Sequence, residues 1–92
     1  MNFRFIGWCK QGSADKVWGV INLIDDQVLT VWGRRGAKLQ TKVGPFDWGL
    51  HKLISKKEEK GYRSIDENEL NQVYPEFQSD LEKTAIWATL KL

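Results

Sequence analysis

Five consecutive residues, Trp32-Gly33-Arg34-Arg35-Gly36, bring one aromatic plane and two permanent cations together. They follow Val28-Leu29-Thr30-Val31, a composition typical of a strand. Glycine adopts positive φ without steric cost, so the two glycines favour a tight connection to a further strand. An indole beside a guanidinium at the end of a sheet can stack on a sugar or base and hold a phosphate. In the alternative interpretation, Trp32 belongs to the core and the arginines are simply solvated.

Two lysines extend this basic character along the chain. Lys38 and Lys42 lie in the segment 37–43, whose polar composition predicts an edge strand. Because side chains alternate along a strand, we expect both lysines on one face with Gln40 between them. Such a row of cations neutralises successive phosphates with little sequence preference.

Other reactive groups lack the neighbours that chemistry would need. Cys9 and His51, the single cysteine and histidine, are far apart in the sequence and give no metal-ligand spacing. The paired carboxylates Asp25-Asp26 are explained by turn chemistry. We therefore expect no enzymatic activity, no metal and no cofactor.

Composition predicts one small globular domain. The chain has 92 residues, of which 41% are hydrophobic and 28% charged. It has no run of the ~20 apolar residues that a membrane span needs, and Arg4 with the early polar turn argues against a secretory signal. The lone cysteine cannot form an internal disulfide, which favours a reducing compartment. We expect a cytoplasmic protein without membrane contact.

Charge is divided unevenly along the chain. Residues 1–63 contain 12 basic and 6 acidic residues, whereas residues 64–92 contain 2 basic and 6 acidic residues. The first part is therefore suited to bind a polyanion. The acidic tail could also lie over that part and screen it.

Periodicity predicts an antiparallel sheet of about four strands, near residues 3–9, 16–24, 28–32 and 37–43. In the first strand, alternation puts Phe3 and Phe5 on one side, opposite Ile6 and Trp8. The second strand is apolar on both faces, which is typical of a central strand covered on both sides.

A helix should follow the sheet. Asp47 is the expected N-cap, and the helix should end near Gly61. Leu50, Leu53 and Ile54 recur at helical spacing and should pack on the sheet. A second stripe on this helix is formed by Lys52, Lys56 and Lys60.

The acidic tail predicts two further helices. Asp66 can cap a short helix that Pro75 ends, and Ser79-Asp80-Leu81-Glu82 resembles a capping box that opens a helix to about Leu90. The apolar stripe of that helix comprises Leu81, Ala85 and Ala88, widened by Ile86, Trp87 and Leu90. So wide a stripe needs a partner, either the domain itself or a second copy in a homodimer. We favour folding back, which gives a domain at 1–63 with a helical extension at 64–92 packed on it.

Several motifs in this order resemble the WGR domain, a family named for its Trp-Gly-Arg triplet. The matching segments are Phe3-Arg4-Phe5-Ile6, Asp15-Lys16-Val17-Trp18, Trp32-Gly33-Arg34-Arg35-Gly36, Gln40-Thr41-Lys42, Phe46-Asp47 and Lys60-Gly61-Tyr62. Together they cover about residues 2–63. The chain departs from the family at Val17, where members have Phe or Tyr, at Leu39, where many have glycine, and at Trp48, in an unusual helix start.

The resemblance implies a small antiparallel sheet with one helix against it, and it implies a ligand. In eukaryotic poly(ADP-ribose) polymerases this module contacts DNA near a strand break, with the motif's tryptophan packed on the terminal nucleotide. By position, Trp32 would be the stacking platform and Arg34 a neighbouring cation, unless Arg34 is structural. Arg35 is then the second choice for phosphate contact. Lys16 matches the family's lysine before the aromatic pair.

These observations lead to one expected function and one alternative. We expect non-enzymatic binding of DNA backbone or DNA ends, without sequence preference, through Trp32, Arg34, Arg35, Lys38, Lys42 and Lys16. On this hypothesis Arg35→Ala or Lys38→Ala weakens binding and leaves stability nearly unchanged. The alternative is a protein-interaction or assembly module that uses exposed aromatic residues, such as Trp48 or Trp87, and the C-terminal helix.

Overall fold

The structure, a computed structural model, describes residues 1–84. Along these residues the elements are β1 (Phe3–Gln11), β2 (Ala14–Asn22), β3 (Gln27–Arg34), β4 (Gln40–Pro45), α1 (Trp48–Glu59), β5 (Arg63–Ser64), α2 (Glu67–Val73) and α3 (Phe77–Glu82). The predicted α+β class, an antiparallel sheet with a packed helix and a helical extension, is confirmed.

The strands form one sheet in the order β4-β3-β2-β1-β5, and each neighbouring pair is antiparallel. The sequence predicted about four strands, and the fifth, β5, is only two residues long. It pairs Arg63 and Ser64 with Trp8 and Gly7 of β1. So short a strand has almost no period of its own, and its pairing depends on where the helix before it returns to the sheet.

An irregularity in β1 overturns the predicted faces of that strand. The register of β1 against β2 shifts between Phe3 and Phe5. A bulge inserts a residue and so moves the side chains before it to the other face. As a result Phe3 packs in the same cluster as Ile6 and Trp8, whereas Phe5 packs on the opposite face beside Trp18. The expectation that Phe3 and Phe5 share a side was wrong.

One face of the sheet, which we call the closed face, is covered by α2 and α3. Its sheet residues are Ile6, Val17, Ile21, Leu29 and Val31. Against them pack Leu70, Tyr74, Phe77 and Leu81 of the acidic tail, each 2% exposed or less. Within the described residues the tail therefore completes the core of the sheet. The predicted apolar positions 85–90 lie outside the described residues.

The sequence predicts the start of α2 correctly but not the start of α3. The Asp66 side chain accepts the backbone N–H of Glu69 at 2.7 Å, which confirms the cap of α2. The predicted start of the second helix at Ser79 was wrong, because α3 begins at Phe77 and ends at Glu82. The earlier start brings Phe77 and Leu81, four residues apart, onto the closed face.

The other face, which we call the groove face, lies under α1. Its sheet residues include Trp18, Val20, Val28 and Trp32. The predicted N-cap is confirmed, since Asp47 Oδ1 accepts the N–H of Leu50 at 2.9 Å. Leu50 and Ile54 pack against this face, but α1 has no buried residue and Leu53 is 38% exposed. The helix therefore covers the groove face incompletely.

Candidate functional site

The Trp-Gly-Arg triplet belongs to the end of β3 and the turn begins only at its arginine. The turn spans Arg34 to Ala37, whose N–H donates to the Arg34 carbonyl at 3.0 Å. Gly33 has φ of 155°, and a Cβ there would lie 3.2 Å from Leu39 Cδ2. The predicted start of β4 at residue 37 was also wrong, because β4 begins at Gln40.

Strand alternation separates the residues that the sequence grouped on one turn. Trp32 and Arg34 are two residues apart in β3 and so belong to the groove face. Arg34 is directly opposite Lys16 of β2. The side chain of Arg35 has its contacts on the other side of the sheet, with Asp15 of β2 and with the Val73 carbonyl at the end of α2.

A groove of about 460 Å³ lies between α1 and the sheet. Its aromatic residues are Trp18, Trp32 and Tyr62, its α1 residues include Leu50, Leu53 and Lys57, and its β4 residues include Lys42 and Gly44. This volume is in the range of pockets that hold small organic ligands. The groove exists because α1 packs on the sheet through only part of its inner side.

Two tryptophans meet in this groove. Trp18 and Trp32 are direct partners in the register of β2 with β3. Trp18 is 4% exposed and packs against the Phe5 ring, with 5.8 Å between ring centres. Trp32 is only partly buried, so it both contacts the core and lines the groove. The position of Trp32 is thus compatible with both interpretations made from the sequence, as a core residue and as an accessible ring.

Two lysines line the groove from different elements. Lys57 of α1 has its Nζ 5.7 Å from the ring centre of Trp18 and 5.6 Å from that of Tyr62. Burial, with the added repulsion of nearby lysines, lowers the pKa of Lys57. Within residues 1–84, no carboxylate lies within 4.0 Å of the Nζ of Lys57 or of Lys42. These ammonium groups are available to an anion from outside.

The one carboxylate that lines the groove, in the described part of the chain, is Asp47. Its Oδ1 accepts the N–H of Leu50 at the start of α1. That hydrogen bond caps α1 and holds the carboxylate at one end of the groove. The opposite end is aromatic and basic.

Lys16 and Arg34 adjoin the groove at the end of the sheet. Lys16 Nζ lies 5.8 Å from the ring centre of Tyr62, on which Lys57 also lies. Arg34 is exposed, and its Nη2 donates to the Ser13 carbonyl at 3.0 Å. Arg34 thus has a structural contact and a solvent-facing guanidinium at once.

Arg35 is engaged within the fold. Its Nε and Nη2 donate to Asp15 Oδ2 at 3.0 and 2.7 Å, and its Nη1 donates to the Val73 carbonyl at the end of α2. A hydrogen bond from Trp8, followed by the bond and charge of Arg35, holds the pKa of Asp15 below its ordinary value. The arginine therefore ties the turn to the β1–β2 hairpin and to the acidic tail. The expectation that its removal leaves stability unchanged does not fit these contacts.

Lys38 lies apart from Lys42. It precedes β4 and lines a separate cleft with residues of the turn and of the chain around α3, including Asp80 and Lys83. The predicted row of Lys38, Gln40 and Lys42 along one strand was wrong, because only Gln40 and Lys42 belong to the strand.

Sequence reasoning missed Lys57 as a groove residue. The predicted lysine stripe of α1 was Lys52, Lys56 and Lys60, all of which are exposed. A signal was nevertheless present, because Lys57 follows Leu50 and Leu53 by seven and four residues. That spacing places it on the same side of the helix as those apolar residues.

Residues 1–84 contain no group of three or more His, Cys, Asp or Glu side chains arranged to hold a metal ion. None of their helices is long and apolar enough to cross a membrane. Cys9 is buried and free.

No protein-family model matches the chain, and the comparisons with curated proteins and with solved structures also find no match. The similarity to WGR domains therefore depends on the sequence motifs alone. What the groove binds has to be inferred from its own aromatic and cationic residues.

Proposed function

We propose that this protein is a non-enzymatic nucleic-acid-binding module that holds DNA backbone or DNA ends at the groove face. The observation that carries the proposal is the groove itself, in which Trp32 is accessible between Lys42 and Lys57, two lysines that have no acidic partner within residues 1–84. An accessible indole stacks on bases or sugars, and ammonium groups neutralise phosphates. The WGR-like motifs support the same ligand.

Charge near the groove extends the surface that a polyanion would contact. Lys16, near the start of β2, lies over the ring of Tyr62 in the groove, and Arg34, at the end of β3, is its direct partner in the sheet; both are exposed. Contacts of this kind go to phosphates and carry no sequence information, so we expect binding without sequence preference. In this proposal Arg35 positions the turn, while Lys38 adds only distant positive charge.

A buried, unpaired cysteine is compatible with a reducing compartment, and we infer that the protein acts in the cytoplasm. DNA or another nucleic acid is accessible there in cells without a nuclear envelope. The proposal requires no cofactor and no catalytic group.

The proposal is tested by fluorescence anisotropy with a short phosphorylated DNA duplex over a series of salt concentrations. We expect Lys42→Gln and Lys57→Gln each to weaken binding for all sequences and to reduce the slope of log K against log salt by about one unit. Lys52→Gln and Lys56→Gln are matched controls, because they remove the same charge from the exposed side of α1. Equal losses in the groove variants and the controls would contradict a site in the groove.

One observation favours the alternative function, a protein-interaction module. Trp48 at the start of α1 is 68% exposed, and its ring stacks on that of His51 with 5.1 Å between centres. Exposed tryptophans are enriched at the hot spots of protein interfaces. If no nucleic acid binds, loss of self-association or of a captured partner in Trp48→Ser, with Trp32 intact, would support this alternative. Trp87 and the other stripe positions from 85 to 90 lie outside the described residues, whereas Leu81 of the predicted stripe packs on the closed face.

A further inference from the structure

The entrance of the groove between β4 and α1 carries two glycines. A Cβ built on Gly44 would meet no atom within 4 Å, and one on Gly49 would meet only Asp47 Oδ1, at 3.3 Å. Gly44 lies in β4 opposite Val28, and its φ is not in the left-handed region. Neither backbone strain nor close packing therefore explains the absence of a side chain at Gly44. Its effect is to leave the groove open from this side.

The size of the groove limits what can enter. About 460 Å³ is the space of one small organic ligand. A base inside a duplex is stacked and paired, and it must leave both neighbours before a pocket can enclose it. A base in a single-stranded overhang has no pairing to lose. A groove of this size therefore favours an unpaired nucleotide over a paired one.

The lining offers a nucleotide both of the contacts that single-strand binders use. Trp32 is accessible from the groove, and Leu53 of α1 is on the same cavity. Lys42 belongs to β4 and Lys57 to α1, so cations border the rings from both sides. Base stacking on an aromatic ring tolerates any base, and flanking ammonium groups follow the backbone.

We propose that the groove takes one unpaired nucleotide of a single-stranded overhang, with its base against Trp32 and its flanking phosphates at Lys42 and Lys57. This inference rests on the proposed function and narrows it, because it selects a DNA end with an overhang over a blunt one. In this inference α1, which lies outside the Trp-Gly-Arg triplet, forms one side of the binding site.

The test compares two duplexes of equal total charge, one blunt and one with a short single-stranded overhang, by fluorescence anisotropy. We expect the overhang to bind about tenfold more tightly, the scale of one stacked base. Gly44→Leu fills the groove without changing any charge, and it should abolish this preference while blunt binding persists. Ser55→Leu adds the same side chain at an exposed position of α1 and should keep the preference.

A second readout protects the test against misfolding of the glycine variant. A fluorescent aminopurine in the overhang should be quenched by the protein, whereas the same base in a paired position should not. Thr30→Leu narrows the groove from β3 without adding an aromatic ring, and it should reduce both the quenching and the preference.

The outcomes separate this inference from the proposed function. Equal affinity for blunt and overhanging duplexes, or a preference that survives in both Gly44→Leu and Thr30→Leu, would overturn the single-nucleotide site and leave nucleic-acid binding intact. Failure of both duplexes to bind would overturn the two together. Tighter binding to the overhang that both groove-filling variants abolish would support the site.

Discussion

The two faces of the same sheet are covered in opposite ways. On the closed face, Tyr74 and Leu81 of the C-terminal helices are fully buried, as are Leu29 and Val31 beneath them. On the groove face, α1 is the longest helix of the described residues, yet none of its side chains is fully buried. Burial of apolar surface is the main source of stability, and the closed face has the larger cluster of buried apolar side chains.

The difference shows how helices on one face of a sheet can influence the other face: in residues 64–84, α2 and α3 pack on the closed face and not on the groove face. The tail seals the closed face, and the groove face can then leave Trp32 accessible without loss of the core. The Arg35 contacts to Asp15 and Val73 connect the two regions, because the same turn ends β3 and holds α2. The closed face is sealed by apolar packing, whereas the groove face keeps an open groove beside Trp32.

The largest expected effect comes from removing the cover of the closed face. A chain that ends at residue 63 lacks the buried residues Leu70, Tyr74, Phe77 and Leu81 and would expose one side of β1, β2 and β3. We expect it to lose cooperative unfolding, as measured by urea titration of tryptophan fluorescence. The boundary at 63 is still a prediction, and a truncated chain that unfolds cooperatively would restore it as that of an independent domain.

A single core residue makes the same comparison with a smaller change. Leu81→Ala should lower the free energy of unfolding by about 2–5 kcal/mol, because Leu81 is fully buried on the closed face. Leu53→Ala, on the groove face, should cost less, about 1 kcal/mol, since Leu53 is 38% exposed. Urea unfolding of both variants gives the two values. Similar losses would mean that α1 covers its face as tightly as the tail does.

Substitution of the two adjacent arginines should also change the free energy of unfolding to different extents. Arg35→Gln breaks the hydrogen bonds to Asp15 and Val73 and should cost about 1–3 kcal/mol of unfolding free energy. Arg34→Gln removes an exposed contact to the Ser13 carbonyl and should cost no more than about 0.5 kcal/mol. In the proposed function, Arg34→Gln should nevertheless weaken DNA binding, because its charge adjoins the groove. Anisotropy and urea unfolding on the same two proteins provide the comparison.

The smallest expected effect is a dependence on alkaline pH at the closed face. Burial, with the hydrogen bond to Asp80, raises the pKa of Tyr74 from 10.0 to about 12. A raised pKa in the folded state means that the stabilisation is complete below pH 10.0 and is lost as the pH rises through about 12. Tyr74→Phe should flatten that decline in urea unfolding. A decline of the same size in the variant would assign it to other groups.

Local signals in the sequence predicted the helix starts that the structure confirms. Asp47 and Asp66 each accept an N–H three residues ahead, so the interaction that begins the helix lies within a few residues of sequence. The prediction that the second strand is apolar on both faces is likewise confirmed, since Val17 and Ile21 of β2 pack on the closed face and Trp18 and Val20 on the groove face. These features depend on period and spacing alone.

Features that depend on distant partners were not predictable in this way. The β1 bulge is a property of pairing with β2, and Arg35 finds partners 20 and 38 residues away. Ser79 has the pattern of a cap, but packing of Phe77 on the closed face starts the helix earlier. The groove itself could not be predicted, because its lining residues come from separate elements of the fold. The position of Lys57 on the groove side of α1, by contrast, could have been deduced from its spacing to Leu50 and Leu53.

The absence of buried residues in α1 has a consequence for motion. The free energy of local opening rises with the apolar contacts that opening breaks, so this helix detaches from the sheet more readily than any strand beneath it. We expect α1 to move between its two ends, at Asp47 and at Gly61 with φ of 102°, and its amides to exchange hydrogen faster than those of β2. On this expectation the width of the groove changes whenever α1 moves relative to the sheet.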